Sequence, residues 1–140
     1  MVLAYQQADI GRTDVVLAEL QLLADALGLP LVRFQLAERD VCRLLIAGHA
    51  READAANELV FECGTAAAEP QTLSAYGGLM VGIRQHEGRT DELVDLLIQA
   101  ARDNPSIPAF RSALPAMLCE LDRADEARDR FVAEAAHGFD

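Results

Sequence analysis

Lysine is missing altogether: every one of the 12 basic residues in this 140-residue chain is an arginine. A P-loop lysine, a Schiff-base lysine and a Ser-Lys dyad are therefore excluded. The same absence, beside abundant Ala, Arg and Asp, is the compositional mark of a GC-rich bacterial genome. Positive charge of any kind is scarce, since the formal net charge is -11. Residues 1–70 carry 11 acids against 5 Arg, and residues 71–140 carry 12 against 7. Phosphate neutralisation needs a basic face and neither half offers one, so direct nucleic-acid binding is not expected.

Cysteine is sparse and unpaired in pattern. Cys42, Cys63 and Cys119 form no CxxC. Placed on a helix pair around Gly48, Cys42 and Cys63 differ in height by roughly 10 Å, which no disulfide spans comfortably. All three read as small apolar core thiols in a reducing compartment. Apolar runs such as Leu44-Leu45-Ile46-Ala47 are too short to span a bilayer, and Met1-Val2-Leu3-Ala4-Tyr5 lacks the basic flank of a signal peptide. A cytoplasmic protein with no membrane partner is expected. Catalytic signatures are missing too. Ser74, Ser106 and Ser112 sit in no Gly-x-Ser-x-Gly elbow, and no HxxxH, HExxH or Cys-His cluster occurs. Gly77-Gly78-Leu79-Met80-Val81-Gly82 has neither the strand before it nor the Lys or helix start after it that a phosphate loop uses, so it reads as a helix-packing segment. No catalytic residue, metal ligand or cofactor is expected.

What the chain does contain is a recurring turn. With 51% hydrophobic and 25% charged residues it has the composition of a soluble globular domain. Gly11-Arg12-Thr13-Asp14, Gly48-His49-Ala50-Arg51-Glu52-Ala53, Gly88-Arg89-Thr90-Asp91-Glu92-Leu93 and Asp122-Arg123-Ala124-Asp125-Glu126-Ala127 follow one another at intervals of 37, 40 and 34 residues. That is the period range of helix-hairpin solenoids. Each turn reads as a helix ending at a Gly that can take the left-handed cap, a polar start to the next helix, and acids complementing its N-terminal dipole.

Reading outward from the turns predicts helices at about 2–10, 13–27, 31–47, 51–63, 71–86, 90–102, 106–121 and 124–137, with no competing strand pattern. Apolar stripes support them: Phe34, Ala37, Val41, Leu44 and Leu45; Leu73, Tyr76, Met80 and Ile83; Leu93, Leu96, Leu97 and Ala100; Ala127, Phe131 and Ala135. Tyr76 is accordingly assigned to the core. Gly28-Leu29-Pro30, the stretch from Gly64 to Pro70, and Asn104-Pro105-Ser106-Ile107-Pro108 read as breakers. Pro115 should kink its helix near Ala113 or Leu114. The expected architecture is all-α: an array of antiparallel helix hairpins, forming a single domain over residues 1–140. Its first helix is short and its last lacks a polar cap. The sequence therefore reads as a segment of a longer protein, or as one whose ends are buried in a homodimer.

These units resemble the tetratricopeptide repeat family, which implies a right-handed superhelix of three to four antiparallel hairpins. Gly88, Leu97, Ala100 and Pro105 stand at family positions, with Leu93 where a small residue belongs. The Gly48 unit matches at Ala53, and the Asp122 unit at Ala127 and Phe131 without the Gly. The wording of the turns, including Leu45 through Ala53, Arg84 through Leu93 and Phe110 through Phe139, is also similar to helical-repeat regions downstream of the ATPase module in large actinobacterial regulators. Those regulators carry a nucleotide cyclase or a LuxR-type DNA-binding domain. The resemblance implies a coupling region of a signalling protein.

Three imidazoles, His49, His86 and His137, lie near helix C-termini, where capping of the last carbonyls accounts for them. The charged run from Glu120 to Arg130 reads as a solvated face with local ion pairs. If the array curves, its concave side is lined by the first helix of each hairpin. On that side Arg39, Arg43, Arg84, Gln85 and Arg111 are the candidate binding residues, whose guanidinium forks suit a carboxylate from a peptide or small ligand. The partner is then a protein, a peptide or a neighbouring domain of the same chain. The rival reading is an effector-sensing helical domain that controls an attached output module.

Overall fold

In the computed structural model, which describes residues 9–136 and 138, seven helices account for most of the described residues and no strand occurs among them. They are α1 (Ile10–Leu27), α2 (Pro30–Ile46), α3 (Ala50–Ala66), α4 (Thr72–His86), α5 (Asp91–Asp103), α6 (Pro108–Glu120) and α7 (Ala124–Ala136). The chain is all-α. No described helix is long and apolar enough to cross a membrane.

Helix ends follow from local chemistry. Asp9 caps α1, its carboxylate accepting from the Arg12 N–H at 3.0 Å. Pro30 and Pro108 occupy first-turn positions of α2 and α6, where the missing N–H costs nothing. Left-handed residues stop the helices at Gly28, Gly48, Ala68, Gly88 and Asp122. At the last four of these the next N–H bonds back five residues: His49 to Leu44, Glu69 to Gly64, Arg89 to Arg84 and Arg123 to Leu118, at 2.8–2.9 Å. This is the Schellman pattern. The positions 28, 48, 68 and 88 are spaced by 20 residues, one helix plus its turn.

Two sequence expectations are corrected. Gly11 marks no turn; it lies in the first turn of α1, because Asp9 has already capped that helix. The short helix expected at about 2–10 falls mainly outside the described residues. Gly64 is not a breaker. It sits inside α3, where the backbone passes so close to Phe34 and Thr72 that a Cβ would lie 2.9 Å from the Phe34 ring and closer still to Thr72 Oγ1. The breaker there is Ala68, in a left-handed conformation (φ 49°) that disfavours a Cβ.

Contacts divide the chain into two units, one ending at Tyr76 and the other beginning at Gly77, inside α4. In the first, α2 packs on both α1 and α3. Its core holds Ala24, Phe34, Leu36, Ala37, Val41, Ala53 and Val60. Asn57 is also buried; its Nδ2 donates to the Tyr76 carbonyl at 3.1 Å, while its Oδ1 has no partner. Tyr76 is only partly buried, stacked edge-on against Phe61 at 5.4 Å with its hydroxyl donating to Glu58. In the second unit α6 packs on α5 and α7, around Ile83, Leu93, Val94, Leu97, Phe110, Leu114, Met117, Leu118 and Ala127. Gly77 gives Phe110 room there, since a Cβ would stand 3.0 Å from the ring. Gly78 faces open space, so packing does not explain it. Helix α6 continues through Pro115.

Two stripes shift from expectation. In α5 the buried set is Leu93, Val94 and Leu97, and Leu96 turns outward. In α7 only Ala127 is buried and Phe131 is exposed. Cys119 is also exposed, one residue off the Leu114–Leu118 face of α6, whereas Cys42 and Cys63 are half-buried. Burial pushes the Cys42 thiol pKa up, as suits an inert thiol.

Candidate functional site

In the first unit, α1, α2 and α3 enclose a groove of about 560 Å³. Leu17 and Ala18 line it from α1, Leu36, Ala37 and Leu44 from α2, and Leu59 and Cys63 from α3. The helix spacing produces this wall directly: Leu36, Asp40, Arg43, Leu44 and Ala47 recur at intervals of three and four, so they share one side of α2. Its polar groups sit at Asp14, Gln21, Arg33, Asp40, Arg43 and His49. Most of them are already paired. Arg43 grips Asp14 with both a short Nε bond and an Nη2 bond of 2.9 Å. That bond holds the Asp14 carboxyl below its ordinary pKa. Arg33 lies 3.6 Å from Asp25, and His49 Nδ1 lies 3.4 Å from Glu52. Asp40 has no ion-pair or hydrogen-bond partner among the described residues.

The second unit holds a smaller cleft of about 210 Å³, walled by Ile98 and Ala101 of α5 and Leu114 of α6. Arg102, Arg111, Arg130 and Glu134 complete its lining. Arg111 donates to Glu134 at 3.3 Å and to the Pro105 carbonyl at 2.8 Å. Elsewhere in this unit ion pairs cluster on the turns. Around Gly88, Arg84 meets Glu87, and Arg89 meets both Glu87 and Glu92. Around Asp122, Arg123 meets Glu126 through two bonds of 2.8 Å. Each of those carboxylates at Glu92 and Glu126 is held below its ordinary pKa by the arginine bonded to it.

No protein-family model matches the chain, and no curated protein or solved structure matches it.

The five residues singled out from the sequence separate as follows. Arg43 lines the groove of the first unit and Arg111 the cleft of the second. Arg39 is exposed on α2 outside the groove lining. Arg84 and Gln85 line neither cavity; Arg84 bonds Glu87, and Gln85 bonds Glu120, which also accepts from Thr90. The histidines divide as well. His86 Nδ1 lies 2.8 Å from the Gly82 carbonyl, in line with capping. His49 caps α2 through its backbone N–H, and its ring turns instead to Glu52 at the start of α3. His137 lies outside the described residues. No group of three or more His, Cys, Asp or Glu side chains suited to a metal ion occurs among the described residues.

Sequence reasoning missed Arg102 and Arg130. Arg102 ends α5, where a cation complements the helix dipole, and Arg130 lies four residues from both Glu126 and Glu134. Both patterns predict a bland role. The actual partners of those acids are Arg123 and Arg111.

Proposed function

We propose that the chain is a non-catalytic interaction module: a tetratricopeptide-like right-handed superhelix of antiparallel hairpins, acting within a bacterial signalling or transcription regulator. The occupant proposed for the groove of α1, α2 and α3 is an amphipathic helical segment of a partner protein or of a neighbouring domain. Helix-in-groove binding lays apolar side chains at helical spacing into an apolar trough, leaving charges at the rim. The observation that carries the reading is the groove itself: apolar along Leu17, Leu36, Leu44 and Leu59, with its arginines neutralised internally by Asp14 and Asp25. A trough whose arginines are already paired selects for apolar surface rather than for an acidic ligand. The unpaired Asp40 and the surplus of acids in residues 1–70 favour basic residues flanking that apolar face. The 20-residue recurrence of left-handed helix stops supports the repeat architecture.

A small-molecule effector is the second reading, and the groove volume falls in the range such ligands use. The open trough and its polar rim favour the helix. The test is selection of helical peptides against the chain, followed by titration of two arginine substitutions at exposed leucines. Leu59→Arg, in the groove, should weaken the selected peptide by about tenfold or more, and Leu96→Arg, on α5, should leave it unchanged. Equal effects of the two, or no selectable peptide, would sink the reading.

A further inference from the structure

The second unit contains an electrostatic imbalance that the interaction reading does not use. Acids outnumber arginines 23 to 12 in this chain, yet the lining of the α5–α6–α7 cleft carries three guanidinium groups and one carboxylate. That carboxylate, Glu134, bonds Arg111. Arg102 and Arg130 make no ion pair or hydrogen bond with any described residue. The acids beside them in sequence are engaged elsewhere. Asp103 accepts two bonds of 2.9 Å from Gln99, and Glu126 is held by Arg123. Two arginines without a direct ion pair thus border one apolar recess in a strongly acidic protein, Arg130 acting on Glu126 only through its field.

We propose that this cleft is a binding site for a short aliphatic carboxylate, with Arg102 and Arg130 receiving the carboxylate and Ile98, Ala101 and Leu114 receiving the alkyl chain. Guanidinium groups recognise carboxylates through two parallel N–H···O bonds, which a single ammonium or a neutral amide donor does not reproduce. The volume of about 210 Å³ is below that of pockets for drug-sized ligands and suits a chain of a few carbons. Such a carboxylate has two sources, a free short-chain acid or the glutamyl side chain of a bound protein. The site belongs to the second unit and does not depend on what occupies the groove of the first.

The experiment titrates the isotope-labelled chain with butyrate and, separately, with N-acetyl-glutamate amide, following amide resonances by NMR. Butyramide, the neutral isostere, and inorganic phosphate serve as comparisons. The expected result is saturable movement of the Ile98, Ala101, Arg102, Leu114 and Arg130 resonances with the carboxylates and none with butyramide. Arg102→Gln and Arg130→Gln should each weaken binding by about tenfold. Both positions are exposed, so circular dichroism should report an unchanged fold. Tighter binding of butyrate assigns the site to a free acid, and tighter binding of the glutamyl compound assigns it to an acidic protein side chain. Equal movement with butyramide, stronger binding of phosphate than of either carboxylate, or indifference to both glutamine substitutions would overturn the proposal.

Discussion

The two units use the same scarce resource, arginine, in opposite ways. In the first, the arginines that line the groove are answered by Asp14 and Asp25, and the surface left for a visitor is mainly leucine and alanine, with the carboxylate of Asp40. In the second, the cleft is smaller and its apolar wall shorter, while Arg102 and Arg130 make no direct ion pair with a described acid. A balanced ion pair removes charge from recognition and leaves shape and apolar area to decide it. An unbalanced guanidinium in a chain of net charge -11 does the reverse. Similar helices, joined by similar turns, therefore present different chemistry according to where a few carboxylates point.

The comparison breaks most sharply at the packing level. Ile83 is fully buried in the second unit and Leu22 of α1 is 73% exposed in the first, although both are large aliphatic residues on helices. Ile83→Ala should cost about 2–5 kcal/mol in urea unfolding, and Leu22→Ala should stay within about 0.5 kcal/mol. A large loss at Leu22 would mean that α1 is covered in solution.

Glycines provide the next test. Gly64→Ala in α3 drives a methyl against Thr72 and Phe34 and should destabilise by about 1–3 kcal/mol. Gly78→Ala in α4 meets open space and should stabilise by about 0.5–1 kcal/mol through helix propensity. If both changes destabilise, the surroundings of Gly78 are not open.

Turn chemistry comes third. Ala68 occupies the left-handed position that glycine fills at residues 28, 48 and 88. Ala68→Gly should therefore raise stability by up to about 1 kcal/mol, whereas Gly48→Ala should lower it by a comparable amount. Thermal midpoints of the two variants moving in the same direction would contradict the equivalence of these turns.

The smallest effects are those of pH. Asp14 has its pKa depressed by the Arg43 hydrogen bond, so its contribution is present above the ordinary value of 3.8 and disappears as pH falls through the lowered folded value. Glu38 is shifted the other way, chiefly by burial, so its charging opposes folding once pH rises above the ordinary value of 4.5. Accordingly Asp14→Asn should flatten the acid limb of the stability profile, and Glu38→Gln should stabilise at pH 7 and not at pH 3. Urea midpoints at the two pH values decide both.

Much of the fold was legible because the signals were local. Gly48, Gly88 and Asp122 were read as helix stops from the turn pattern alone, and each takes the left-handed conformation. Gly64 and Gly11 were misread for the complementary reason. A glycine required by a neighbouring helix looks like a breaker, and the cap at Asp9 outweighed the glycine two residues on, whereas the stop at Ala68 fell inside the stretch read as a breaker. The candidate sites were less legible. Arg43 and Arg111 stand on cavity walls, but whether a guanidinium is answered depends on an acid 29 residues away for Arg43 and 23 away for Arg111. No periodicity in a single helix reports such a partner, so Arg102 and Arg130 looked ordinary.

The most direct measurement of the central claim is NMR mapping of a selected helical peptide on the labelled chain. The account predicts resonance changes concentrated at Leu17, Leu36, Leu44, Ala47 and Leu59, the walls of the groove. Changes confined to α5, α6 and α7, with those five residues silent, would contradict it.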